Sequence, residues 1–441
     1  MKSEIISTCV LSEICILKSC HGKLKFLLIN IKSGLYIIIM SSKNQWEDTM
    51  HIVLIIKNNL IKILASIILL LLLSFAYSII FKTTPIISFN LPDKEQLKAY
   101  IENMYNIRSS AFITGDARPL KDLYDKSHKY GQWSLEYEVR RIKYLKDWAD
   151  KRGIKFQNVT SNVTIRKIYN RWSTVRISLD ESYKFDYIYK DDAELEVNSF
   201  GIGIRHTLDL KPSGEEWLIY ADWYSDFISD AANEYSGTIA DNNNFFLESI
   251  SYAQSSKGRY YDRQKAVEYA DKYCGVPWES GNNYKYNTKY DNYMGIGGDC
   301  TNFVSQVIGD KEGGGLPQDG TWFCKYKIYG GAEGSRAWVN ASSFKNYLIY
   351  SGKGSIIMRG NFENLTKPLP NSPKGAIGKL KLGDLIAYEK KGDINHFTVV
   401  TGWDSHGYPL VNSHTTDRYR SPWDLGWGGK NIKFILIHIN G

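Results

Sequence analysis

The chain has 441 residues, 43% of them hydrophobic and 23% charged, so it can bury real cores and is not disordered. Its 11 prolines and 36 glycines exclude a collagen-like or low-complexity chain, and six cysteines exclude a disulfide scaffold. Nine Lys/Arg stand against four Asp/Glu in residues 1–82, leaving 46 against 43 elsewhere. The body is therefore almost balanced, which argues against nucleic acid as a main partner.

At roughly 150 residues per domain the length predicts two or three units. Residues 1–49 hold an interrupted apolar run, Phe26 to Met40, and Cys9, Cys15 and Cys20. They are expected to be a leader or a start-site artefact, with a natural start at Met50. Residues 50–85 read as a signal anchor. Ile63 to Phe81 is nineteen residues without a charge, about 28 Å as a helix. Lys57 and Lys62 precede it, which predicts a single-pass membrane helix with the C-terminal body outside the cell. A cleaved signal peptide would share this pattern.

Residues 90–232 predict helices followed by strands. Asp93 caps with Gln96 three residues on, and Leu97, Ile101, Met104 and Ala111 share a helical face. Pro119 to Tyr124 suggests a short second helix. Leu135, Val139, Ile142 and Ala149 mark a third, ending at Gly153. Strands are expected at 163–168, 174–179, 185–189, 202–210 and 217–221, with turns near Asn170 and at Pro212 to Gly214. Helices followed by an antiparallel meander make an α+β domain. This architecture resembles NTF2-like or cystatin-like domains and suggests a spacer or ligand-gripping stalk. His206, alone in a strand, reads as structural. Residues 233–257 are polar and read as a linker.

Residues 258–441 carry the chemistry. Gly297-Gly298-Asp299-Cys300-Thr301 precedes an apolar helical face of Phe303, Val304, Val307 and Ile308. Asp299 or Thr301 can cap, and Cys300 falls at the helix N-terminus. Orphan amides and the dipole there favour a thiolate and can receive an oxyanion. A thiolate nucleophile needs a base. His396 opens a β-branched strand, a turn follows at Asp404 to Gly407, and His414 ends the return strand. A turn centred near Ser405 puts His396 opposite roughly residue 414. Asn412 and His414 then share one face, and either can orient His396, with His414 preferred. Asp299, Asn302 and Tyr293 around the nucleophile are candidate substrate contacts. Trp322 and Trp338, in and beyond a Gly-rich segment, join them. No Cys-x-x-Cys or His-Glu-x-x-His spacing occurs, so no metal or other cofactor is expected. Asp417 and Arg418 can bind a carboxylate or pair with each other. A disulfide between Cys274 and Cys324 is left open.

The Asp299–Gln306 stretch resembles the putative amidase domain of Gram-positive surface proteins. So do Tyr261-x-Arg263-x-x-Ala266, Gly383-Asp384 before His396, and His414-Thr415. That domain is itself similar to the NlpC/P60 and CHAP groups of papain-like cysteine hydrolases. The resemblance covers about residues 258–441. It implies a papain-like α+β fold and hydrolysis of amide bonds in cell-wall (peptidoglycan) peptides. Cys300 would be the nucleophile, His396 the general base and acid, and His414 the orienting residue. NlpC/P60 members usually carry a small residue where Asn302 stands. The rival readings are an inactive wall-binding or partner-binding module and an acyl-transferring enzyme.

Overall fold

The computed structural model describes residues 6–9, 14–18, 24–31, 35–44, 47–56, 67–75, 93–214, 216–224, 226, 228, 260–276, 286–328, 331–427 and 431–441. The chain divides into two compact units, Met1–Ser88 and Phe89–Gly441.

In the first unit, β1 (Ile6–Cys9), β2 (Ile14–Lys18), β3 (Leu24–Ile31), β4 (Leu35–Asn44) and β5 (Glu47–Ile56) form an antiparallel meander in chain order. The residues expected to be a leader thus carry strands, and β5 runs through Met50. The apolar run downstream contains one described helix, α1, at residues 67–75. Its nine residues rise about 13 Å, less than half of a hydrocarbon core. Among the described residues no helix is long and apolar enough to cross a membrane. The expected membrane helix over 63–81 is therefore not supported.

The second unit is α+β. Asp93 accepts from the Gln96 amide at 2.8 Å and starts α2 (Lys94–Thr114), which ends at Gly115 with φ +72°. A 3-10 turn, Arg118–Asp122, leads to α3 (Lys129–Lys151), which stops just before Gly153. Four strands follow: β6 (Ile154–Asn170), β7 (Val175–Tyr189), β8 (Asn198–Ser213) and β9 (Glu216–Tyr224). The two runs expected at 174–179 and 185–189 are the ends of one strand. Asp180, Glu181 and Ser182 between them pair with β6 and β8 and are buried.

That burial of charge has a clear cause. Arg108 pairs with Glu181 at 2.5 Å and Glu138 at 3.4 Å, and Arg141 with Glu138 at 2.9 Å and Asp226 at 2.5 Å. His206 lies 3.0 Å from Glu181 and 2.8 Å from Asp222. Each charge has an opposite partner, which is the condition for keeping charges in an interior. His206, expected to stand alone, belongs to this network.

The C-terminal half contributes α4 (Arg263–Tyr273), α5 (Cys300–Gly309), β10 (Cys324–Tyr326), β11 (Ala332–Gly334), α6 (Arg336–Val339), α7 (Ala341–Tyr350), β12 (Gly354–Gly360), α8 (Phe362–Thr366), β13 (Leu385–Lys390), β14 (Asp393–Trp403), β15 (Pro409–Ser413), β16 (Asp417–Pro422) and β17 (Ile432–Ile439). One antiparallel sheet runs β12-β17-β13-β14-β15-β16-β8-β7-β6, with β9 also on β8. Gly201–Gly203 of β8 pair with Tyr419–Asp417 of β16, so the sheet crosses from one half to the other. The expected linker, 233–257, lies outside the described residues.

Side chains reinforce the junction. Trp148 Nε1 and Arg152 donate to Asp424, at 2.9 and 2.5 Å. Tyr187 and Tyr189 donate to Asp404, and Tyr189 stacks on His406 with ring centres 3.5 Å apart. Leu425 joins the core of the α2, α3 and β6–β9 region. A free spacer would not bury its neighbour's side chains in its own core. Beyond the junction, each face of the C-terminal sheet has its own core. Phe397 and Val399 pack with α4, α5 and α7, while Tyr388 and Val400 pack with Phe362 and Trp423 on the other side.

Candidate active site

Two sequence motifs close a clasp under the site. Tyr261 donates to the Gly383 carbonyl at 2.8 Å. Arg263 donates to Asp384 and the Leu382 carbonyl, both at 2.7 Å. Gly383 has φ +75°, and a Cβ there would fall 2.5 Å from the Tyr261 hydroxyl, so the approach requires glycine. Tyr-x-Arg and Gly-Asp thus fix α4 to the start of β13.

Cys300 is the first residue of α5 and is 7% exposed. Its sulfur lies 3.8 Å from the Thr301 hydroxyl, and the Phe397 backbone N–H points at it. Burial pushes the thiol above its ordinary value, against the lowering effect of that N–H. The resting group is therefore a neutral thiol at pH 7.

Asp299 organises the loop rather than capping the helix: its side chain makes no cap hydrogen bond. Oδ1 accepts from the Tyr293 amide at 3.0 Å and Asn302 Nδ2 at 2.9 Å, while Oδ2 faces His414 Nδ1 at 2.6 Å. The Asp299 amide donates to the Thr415 hydroxyl. Thr415 sits at φ +66°, a left-handed conformation that is strained for a β-branched residue. His414 Nε2 lies 2.6 Å from the Tyr273 carbonyl, and its ring is stacked between Tyr286 and Phe303, at 3.7 and 4.0 Å. Both His414 nitrogens face acceptors, Asp299 and the Tyr273 carbonyl, so neither points at the thiol.

His396 is placed differently. Its ring lies beside Tyr388 and Trp427, with centres 5.6 and 5.7 Å away, on the sheet face opposite Phe397. Among the described residues its Nε2 is buried without a hydrogen-bond partner. Burial, and then the Arg418 charge, hold this imidazole well below its ordinary value, so it is neutral at pH 7.

The expected facing of His396 and His414 does not occur, and the reason is a bulge. Gly402 pairs with Leu410 but Val400 pairs with Val411, leaving Thr401 as an extra residue. Val399, not Thr398, then opposes Asn412. A one-residue shift exchanges faces, so Asn412 and His414 share the α5 side while His396 takes the other. Asn412 is bound to Thr401 and Asp271, both at 2.8 Å.

The remaining candidates are structural in this arrangement. Asn302 holds the Asp291 carbonyl and Asp299 with its amide and receives Trp338 Nε1 at 2.9 Å. Trp338 and Trp322 are 0% exposed and stack at 4.9 Å, which corrects their expected place at a substrate groove. The Tyr293 hydroxyl accepts from the Gly334 amide at 3.4 Å, tying the β10–β11 hairpin to the loop before Cys300. Of the two readings of Asp417-Arg418, pairing with each other does not occur: Asp417 binds Tyr286 and Arg205, while Arg418 lies on the His396 side. Cys274 and Cys324 are free thiols. Among the described residues no group of metal-ligating side chains gathers.

Sequence reading missed Tyr286, Arg205 and Trp427. Only their chemistry was visible, since their partners come from distant elements.

Known proteins bear on this site. The chain is 32% identical over 190 residues to "Uncharacterized protein YhbB" of Bacillus subtilis (strain 168), covering 41% of this chain and 50% of that protein. It is 29% identical over 179 residues to "Uncharacterized protein YjcM" of the same organism, covering 38% of this chain and 34% of that protein. The chain thus spans half or less of the length of these curated relatives. No solved structure matches it. The clasp, Cys300, His396 and His414 all fall within residues 260–437, and that segment matches the family described as putative amidase domain.

Proposed function

We propose that this segment is a cysteine-dependent amidase acting on cell-wall peptides. One observation carries the reading: within a segment that matches an amidase family, Cys300 opens α5 with its sulfur facing the Phe397 N–H. We assign His396 as the acid and base: it lies near the start of β14 within the matched segment, and among the described residues its Nε2 is buried without a hydrogen-bond partner.

In the reaction, His396 takes the thiol proton as Sγ attacks the amide carbonyl carbon. The first amides of α5 receive the oxyanion. The C–N bond breaks, the amine leaves with the proton from His396, and an acyl-thioester remains. Water attacks the thioester, giving its proton through His396 to the departing sulfur. A carboxylic acid is released, and the thiol and the neutral imidazole are restored.

Both reacting groups rest neutral, and His396 rests against Trp427 rather than on the thiol. Engagement therefore requires the start of β14 to rearrange so that His396 comes to the α5 side. This same separation favours a second reading, an inactive module that binds wall peptides. Intact-mass measurement after rapid acid quench separates the two. The amidase reading expects an acyl adduct on wild type and none on Cys300→Ala; no adduct and no released amine favour the binding module.

A further inference from the structure

We infer that the α2–β9 half is part of the catalytic apparatus: Arg205 of β8 is a positioning residue for the Cys300 loop, acting through Tyr286, Asp417 and His414. The inference rests on reading Cys300 as the nucleophile.

The chain of contacts is continuous. Arg205 Nη2 donates to the Tyr286 hydroxyl at 3.1 Å and lies 3.5 Å from Asp417 Oδ2. The Tyr286 hydroxyl donates to Asp417 Oδ1 at 2.5 Å. The Tyr286 ring lies flat on His414, tilted by 15°, and His414 holds Asp299, the residue before Cys300. Each link joins a different part of the fold, so none follows from local structure.

Packing shows that the approach is close by construction. A Cβ on Gly203 of β8 would lie 3.2 Å from the Asp417 Cβ. A Cβ on Gly275, at φ +81°, would meet the Tyr286 ring at 2.4 Å and Asp417 at 2.6 Å. Backbone pairing of Gly203 with Asp417 fixes the same junction. Arg205 supplies the positive charge facing a buried Asp417, with Asp299 close behind. Removing it leaves Asp417 less compensated beside His414 and Asp299, the pair that holds the residue before Cys300, which disfavours a thiolate.

The test reads Cys300 itself, in the full chain, by iodoacetamide alkylation mapped to its peptide across pH. Arg205→Ala is expected to slow Cys300 alkylation at pH 8.5 by about threefold or more and move the pH profile upward. Arg205→Lys restores the charge and returns the profile toward wild type. Arg176→Ala, which breaks a comparable pair with Asp209 elsewhere in the same half, leaves the profile unchanged. An Arg205→Ala profile that overlays wild type, or an equal shift in Arg176→Ala, overturns the inference. Alkylation is read with or without turnover, so this failure is distinct from failure of Cys300→Ala to abolish hydrolysis.

Discussion

His414 holds Asp299 across 2.6 Å, with both side chains almost fully buried, immediately before the first residue of α5. Asp299 in turn receives Tyr293 and Asn302, so one carboxylate fixes the whole approach to Cys300. Asp299→Ala strands His414 and frees the loop. It is expected to cost about 2–4 kcal/mol of stability, measured by urea unfolding, and to remove hydrolysis. Asn302→Ala should cost less, because His414 keeps its partner.

Burial raises the Cys300 thiol, so the thiolate grows in only as pH rises past the ordinary thiol range. Alkylation of Cys300 by iodoacetamide should therefore be slow at pH 7 and still rising at pH 9. A plateau below pH 7 would mean a preformed ion pair.

Trp427 covers His396 at the back of the sheet. Trp427→Ala admits water and relieves the burial that holds the imidazole down, which frees His396 to take a proton and to leave its packing against this ring. Cys300 alkylation at pH 7 is expected to rise several-fold, as the same labelling assay would report.

The buried network of the other half sets a different pH dependence. Desolvation disfavours charge on His206, but Asp222 and Glu181 override it and raise its pKa from 6.5 to about 9. A group raised on folding gives stability that is complete below pH 6.5 and lost as pH climbs through 9. The Tm of the full chain should fall over that window. His206→Gln should flatten the fall while lowering Tm at pH 6.

Much of this architecture could be read from local chemistry. The Asp93 cap, the buried stripe of Leu97, Ile101, Met104 and Ala111, and the stop at Gly153 need only neighbours in the chain. What failed depended on distant partners. Val139, read as core, is 40% exposed, because α3 turns Glu138 and Arg141 inward to meet Arg108 and Asp226.

The site divides along the same line. Cys300 at a helix start followed from glycines and an apolar period. The histidines did not, since one extra residue, Thr401, reverses which face His414 shares. Trp322 and Trp338 resembled groove residues by composition. Their indole N–H groups instead have buried partners, Ser305 and Asn302, which lets both rings enter the core.

The most direct measurement is release of free amino groups from purified cell wall by the full chain and by Cys300→Ala at equal concentration. If Cys300 is the nucleophile, wild type releases amine steadily and the variant none above background, with both proteins melting at the same temperature. Equal release by the two proteins would contradict that assignment.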